Sequence, residues 1–238
     1  MNTAYSSPRP RRILIGLFVA AGISHSALGL DISCISAGDG FFHNESGSSY
    51  DYFDSTSHSV IVNRYFDGLS SSIQDRTGYL QFSLAALSPT DVIASATLKL
   101  YLTASHYADD SPSAGFINHV ANSSGANGNA SQRLNGSELV VEIKDQPLGW
   151  LELEVTDYLR NDHAAGYGYS CFSLNMNTEG YFDNAGFTVT SSDAGTNVPT
   201  LAISLVPEPS ASALVAILVA GFAGIVRRKP SRRTQDSR

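Results

Sequence analysis

The chain has 238 residues, 42% hydrophobic and 16% charged, with two cysteines and a formal net charge of −7. That length holds one ordinary domain with appendages. A charged fraction well below the roughly 25% of average soluble domains, with abundant Gly, Ser, Asn and Thr, excludes a helical bundle or coiled coil.

The charge is segregated. Residues 30–206 carry six basic and twenty acidic side chains, a formal charge of −14, while both ends are basic. A body that acidic repels phosphates, which argues against nucleic acid and leaves cations as its charged partners. At the N-terminus, Arg9, Arg11 and Arg12 precede the apolar run Ile13–Ile23 and the small residues Ala27 and Gly29. This order predicts a secretory signal over residues 1–29, cleaved after Sec-type export. An uncleaved anchor is the alternative, although an apolar run of about 11 residues falls short of the ~20 that span a bilayer.

From residue 30 to 205 the hydrophobic pattern has period two, predicting half-buried strands. Leu80, Phe82 and Leu84 share one face of Tyr79–Leu84, and Leu98, Leu100 and Leu102 one face of Thr97–Thr103. Glu138–Lys144 is expected to bury Leu139, Val141 and Ile143, Trp150–Val155 to bury Leu151, Leu153 and Val155, and Phe172–Met176 its alternate apolar residues. Weaker alternation predicts strands at Asp31–Ser36, Ser59–Arg64, Gly115–Ala121, Phe187–Ser191 and Thr200–Leu205. Turn chemistry marks Asp39-Gly40, 112–115, Asn127-Gly128 and Asn135-Gly136, the last suited to a type I′ hairpin. One helical turn is expected at Thr156–Asn161, capped by Thr156. Ten short strands predict an all-β fold, an antiparallel β-sandwich of jelly-roll type.

The C-terminus reads Pro207-Glu208-Pro209, then an uncharged segment 211–226, then Arg227-Arg228-Lys229 and a basic tail 230–238. A transmembrane helix with a basic stop-transfer cluster on its cytoplasmic side fits this order. The segment 206–229 resembles the PEP-CTERM sorting signal, a tail sometimes labelled an ice-binding-protein C-terminal domain. The resemblance implies a membrane-held chain processed by an exosortase and delivered to the cell surface or an exopolysaccharide biofilm matrix. The body resembles DNRLRE-type jelly-roll domains, similar to carbohydrate-binding modules, through Arg76–Leu84, Ile93–Tyr101, Leu153–Leu159, 168–175 and 199–203. That resemblance implies a surface protein that binds polysaccharide, with some relatives binding acidic sugars or calcium.

No strong catalytic motif is present: there is no His-Glu-x-x-His, Gly-x-Ser-x-Gly or phosphate loop. Glu152 and Glu154 lie two apart on one strand face, near the spacing of glycosidase carboxylates, but alternate outward acids are the ordinary composition of a solvated face. The histidines lack ligand spacing. Asp51 and Asp54, and Asp109 and Asp110, are candidate calcium ligands in acidic loops. Tyr50, Tyr52, Phe53, Tyr181 and Phe182, beside Asp183 and Asn184, are the candidate glycan-stacking set, because they lie in Gly/Ser/Asn-rich stretches. Trp150, at a strand start, is expected to be packed. Cys34 and Cys171, in predicted strands of an exported chain, are expected to form a disulfide, with two buried thiols as the alternative. Asn44, Asn122, Asn129 and Asn135 head Asn-x-Ser sequons that read as loop composition. The reading is a non-enzymatic exported binder of polysaccharide. Its alternatives are a lyase or glycosidase on a jelly roll, and an ice-binding protein, for which Thr188-x-Thr190 is only an isolated pair.

Overall fold

The computed structural model describes residues 28–33, 38–44, 52–67, 72–106, 114–121, 138–144, 146–177 and 185–207. Twelve strands lie among them: β1 (Leu28–Ser33), β2 (Gly40–Asn44), β3 (Tyr52–Asp54), β4 (Ser59–Asp67), β5 (Ser72–Ser83), β6 (Ile93–His106), β7 (Ala114–Val120), β8 (Glu138–Ile143), β9 (Gly149–Glu154), β10 (Tyr169–Asn177), β11 (Ala185–Thr190) and β12 (Thr200–Leu205). The helix α1 (Thr156–Ala164) follows β9. Every pairing is antiparallel, and the fold is the all-β sandwich expected from the alternation.

The hydrogen-bonded path runs β1-β12-β6-β11-β4-β5-β10-β7-β8, with β9 beside β6, β2 beside β5, and β3 beyond β2. Two long strands make this possible. Leu98 of β6 pairs with both Leu153 of β9 and Leu201 of β12, and Leu102 with both Gly149 of β9 and Val189 of β11. Hence β12 and β11 lie end to end along one edge of β6, and β9 occupies the other. In β5, Arg76 pairs with His43 and Asn63, and Gly78 with Phe41 and Leu174, so β4 and β10 follow one another opposite β2.

The inward residues of both long strands meet in one core. It holds Leu80 and Phe82 of β5, Leu98, Leu100 and Leu102 of β6, and Phe172 and Leu174 of β10. Val60 and Val62 of β4 press onto Gly78, where a Cβ would stand 2.6 Å from the Val60 Cγ1, so only glycine allows the strands to approach this closely. A second cluster, Phe42, Tyr79, Val120 and Cys171, packs on the other side of β5 and β10.

The helix is longer than one turn and is held differently from the expectation. Val155 occupies the cap position, and Thr156 makes no side-chain cap bond. Its Oγ1 instead accepts the Ala96 N–H at 2.8 Å, while Glu154 Oε1 accepts the Thr156 N–H at 2.9 Å. Arg160 ties the next turn to β6, donating to the Ile93 and Ala94 carbonyls at 2.9 and 2.8 Å.

Further expectations are corrected. Tyr52–Asp54, placed in a loop with Asp51, is a strand, Gly40–Asn44, for which no strand is predicted, is another, and β5 begins at Ser72 rather than Tyr79. Phe41, Phe42 and His43 are all buried, so β2 shows no alternation to read. Leu139 is exposed rather than buried, because a register shift in the β7–β8 pairing at Ile117/Asn118 displaces the outer end of β8. The first strand is Leu28–Ser33, not Asp31–Ser36, with Leu28 paired to Leu205.

Candidate functional site

The outer surface of β4, β11 and β6 carries a groove of about 200 Å³. Its walls follow from alternation: Val60 and Val62 turn into the core, leaving Ile61, Asn63 and Tyr65 outside. From β6 come Ala104 and His106, and from β11 Gly186 and Thr188. Gly186 is the floor. A Cβ there would lie 2.6 Å from both the Asn63 Cβ and the Val62 carbonyl oxygen, so only glycine lets β11 approach β4 this closely along the groove. Tyr65 is 43% exposed at its rim.

Cross-strand register links three groove residues, Asn63, Gly186 and His106, to three residues outside its lining, Arg76, His43 and Tyr52. Tyr52 pairs with His43, His43 with Arg76, Arg76 with Asn63, Asn63 with Gly186, and Gly186 with His106, across six strands. Residues directly opposite in an antiparallel pair project to the same side of the local sheet. Contacts agree: His43 Nδ1 and the Tyr52 hydroxyl are hydrogen-bonded at 3.2 Å, and the Arg76 guanidinium carbon lies 5.6 Å from the Phe41 ring centroid. Three successive members each keep a buried polar atom with no hydrogen-bond partner, namely His43 Nε2, Arg76 Nε and Asn63 Oδ1. Buried polar groups are ordinarily paired, so these three neighbours are unmet hydrogen-bonding groups gathered within the sheet. On the neighbouring register row, burial holds the Asp75 carboxyl above the usual carboxylate range, opposed by the Arg64 cation paired with it.

The same outer surface continues along β6. The register shift at Thr188/Val189 makes a bulge in the β6–β11 pairing, so Thr103 and Ala104 both face outward. Thr103 Oγ1 donates to the Thr188 carbonyl at 3.3 Å across it. Beyond the bulge stands Tyr101, paired with Trp150 of β9, their rings edge-to-face at 5.3 Å. Trp150 is 52% exposed, correcting the expectation that it packs. Lys99 and Glu152 form the next pair along, an ion pair at 3.4 Å.

Of the residues singled out from sequence, Tyr52 and Phe53 lie on β3 rather than in a loop. Tyr52 is exposed at the end of the row, while Phe53 is turned to the other side, half-buried with its ring 4.7 Å from Phe42. Asp54 ends β3 and accepts the Thr56 N–H and hydroxyl at 2.9 and 3.1 Å, closing a local turn. Glu154 is held by Thr156, whose hydroxyl and N–H lower its carboxyl below the usual range. Thr190 is buried and donates to the Asn197 carbonyl, so Thr188 and Thr190 make no exposed threonine array. Cys171 is fully buried on β10. Cys34, Tyr50, Asp51, Asp109, Asp110, Tyr181, Phe182, Glu208, Pro209 and Arg227-Arg228-Lys229 lie outside the described residues, as do the turns at 127–128 and 135–136. Among the described residues no three His, Cys, Asp or Glu side chains gather as a metal site, and no helix is long and apolar enough to cross a membrane.

Sequence reasoning missed Arg76, Asn63, His43, His106 and Trp150. The available signal was phase: Trp150 shares the outward phase of Glu152 and Glu154, and Asn63 and Tyr65 oppose Val60 and Val62. The arrangement offers an apolar floor for ring faces beside donors and acceptors for hydroxyl and carboxylate groups. No curated protein matches the chain. A family model, carbohydrate-binding module family 96, matches residues 43–205, from the second half of β2 to the last residue of β12.

Proposed function

Because the chain belongs to carbohydrate-binding module family 96, we propose that the groove and its register row bind a carboxylate-bearing polysaccharide, without turning it over. The observation that carries this reading is the row His43–Arg76–Asn63, three register neighbours with unpartnered buried polar atoms, of which Asn63 lines a groove rimmed by Tyr65. Arg76 and the two histidines of the row set donors for a sugar carboxylate at contact range, while the −14 charge of residues 30–206 repels a polyanion at longer range, so retention is expected to rise with the salt that screens that field. Tyr65 and Tyr52 supply exposed ring faces for the C–H surfaces of pyranose rings. The carboxylates Glu152 and Glu154 are engaged with Lys99 and Thr156, which supports binding rather than hydrolysis.

The test is affinity electrophoresis of the full chain in mild detergent through gels holding polygalacturonate or neutral dextran. Retention is expected only with polygalacturonate. Tyr65→Ala removes a stacking ring worth about 1 kcal/mol, and Arg76→Gln a charge-assisted hydrogen bond worth about 1.5–3 kcal/mol. Each weakens retention several-fold, and a doubly substituted chain retained like the parent refutes the assignment.

The proposal extends to address. The signal over 1–29 exports the chain through Sec, its removal leaving Leu30–Ser33 of β1 paired with β12, and Pro207-Glu208-Pro209 with segment 211–226 and Arg227-Arg228-Lys229 holds it in the membrane until an exosortase processes it. The protein then works at the cell surface or in the exopolysaccharide matrix. What supports this is the order of motif, apolar segment and basic cluster at the C-terminus. Cell fractionation checks it: an intact, unprocessed chain in the cytosol refutes it.

A further inference from the structure

We infer that Trp150 and Tyr101 form a second contact for the same polysaccharide, so that the outer face of β9, β6, β11 and β4 grips an extended chain along its length. The inference rests on the glycan-binding reading of the groove and adds the size of the ligand to it. Trp150 sits on β9, which pairs with no described strand other than β6, and about half of its surface is open to solvent. Half-exposed tryptophan is costly to leave in water, and its edge-to-face partner Tyr101 fixes the ring orientation without covering it. Thr103, Ala104 and Thr188 join the two regions, and the β6 bulge keeps this strip on one side of the sheet. The Lys99–Glu152 pair flanks the rings with a donor and an acceptor, the surroundings that sugar hydroxyls need. Three strand spacings across and about five residues along β6 put Trp150 roughly 20 Å from Asn63. A disaccharide reaches one region, whereas a hexasaccharide reaches both.

Trp150 is the only tryptophan in the chain, so its emission reports this site alone. With the full chain in mild detergent, galacturonate hexasaccharide is expected to blue-shift the emission and protect it from acrylamide, while the disaccharide binds without doing either. Trp150→Ala is expected to weaken hexasaccharide binding about three- to tenfold and leave the disaccharide unchanged. Trp150→Phe, which keeps a stacking face, restores part of the loss. If the hexasaccharide binds the parent and Trp150→Ala equally and leaves quenching unaltered, the second contact is wrong while the groove reading stands. Protection by the disaccharide overturns the spanning arrangement, and failure of every uronate oligomer to bind the parent overturns the groove reading itself.

Discussion

The sharpest energetic consequence of the fold lies under α1, where His119 of β7 and Asp162 of the helix meet inside the protein. His119 Nε2 and Asp162 Oδ2 are 2.9 Å apart, and the two side chains are 3% and 2% exposed. The imidazole is walled in by Tyr158 at 4.9 Å and Phe172 at 5.7 Å between ring centroids, and its Nδ1 has no partner. Asp162→Ala removes the carboxylate and strands Nε2 as a second buried nitrogen without a partner. Breaking a buried pair by deleting one member costs about 3–5 kcal/mol. At roughly 2–4 °C per kcal/mol for a domain of this size, the melting temperature should fall by about 6–20 °C. Arg160 still binds the Ile93 and Ala94 carbonyls, so the helix stays docked and the loss is that of the pair. Substituting both residues by leucine replaces polar with apolar volume and should recover most of the stability. Urea denaturation of the parent, His119→Leu, Asp162→Leu and the double leucine variant measures all four corners, with Asp162→Ala beside them. An Asp162→Ala cost below about 1 kcal/mol, or a double variant no better than the worse single one, refutes the reasoning.

Gly186→Ala forces a Cβ against the Val62 carbonyl and the Asn63 Cβ, so it should cost about 1–3 kcal/mol as overpacking and abolish retention on polygalacturonate; a variant of parental stability and retention counts against the groove floor. Asp75 has its carboxyl raised by burial, against the opposing Arg64, so it retains its proton to a higher pH in the folded state than in the unfolded one. Its contribution to stability is therefore complete below the ordinary carboxylate value and is lost as pH rises through the raised one. Melting curves should show Asp75→Asn gaining on the parent between acid and neutral pH, and a constant difference contradicts the assignment. For Cys34 and Cys171, alkylation of the unreduced exported chain should label no thiol, and label both after reduction; two labelled thiols before reduction exclude the bridge.

The strands that build the core were legible because each has one buried and one solvated face. Leu98, Leu100 and Leu102 alternate with Thr97, Lys99 and Tyr101, and β12 was delimited at Thr200–Leu205 from the same rule. The binding row was not legible, for a physical reason. Its members become neighbours only through pairings of β2, β5, β4 and β11 that are far apart in sequence, and no local period encodes a register between distant strands. The half of β5 that carries Arg76 holds one apolar side chain, Ile73, so Ser72–Thr77 offers no alternation from which a strand could be read. Trp150 was misjudged although the evidence was local, since the Leu151 and Leu153 that mark the inward phase of β9 place position 150 outside.

The topology also decides how the binding face is presented. Leu28 pairs with Leu205, Leu205 with Ile93, and the Val206 N–H donates to the Val92 carbonyl at 2.8 Å, so both described chain ends leave the sandwich beside the first residue of β6. His106, at the groove, is the last residue of that same strand. Thirteen residue steps of an extended strand separate them by about 40 Å. A chain held through the segment beyond Pro207 therefore carries its groove at the end away from the attachment, with Trp150 and Tyr101 partway down the same face. If the tail is the attachment proposed above, attachment and binding do not compete for the described surface, and a polysaccharide is expected to reach the groove before and after processing. Retention on polygalacturonate should accordingly be the same for membrane-held and released forms, and a released form that binds several-fold better would mean that the attachment end covers part of the face.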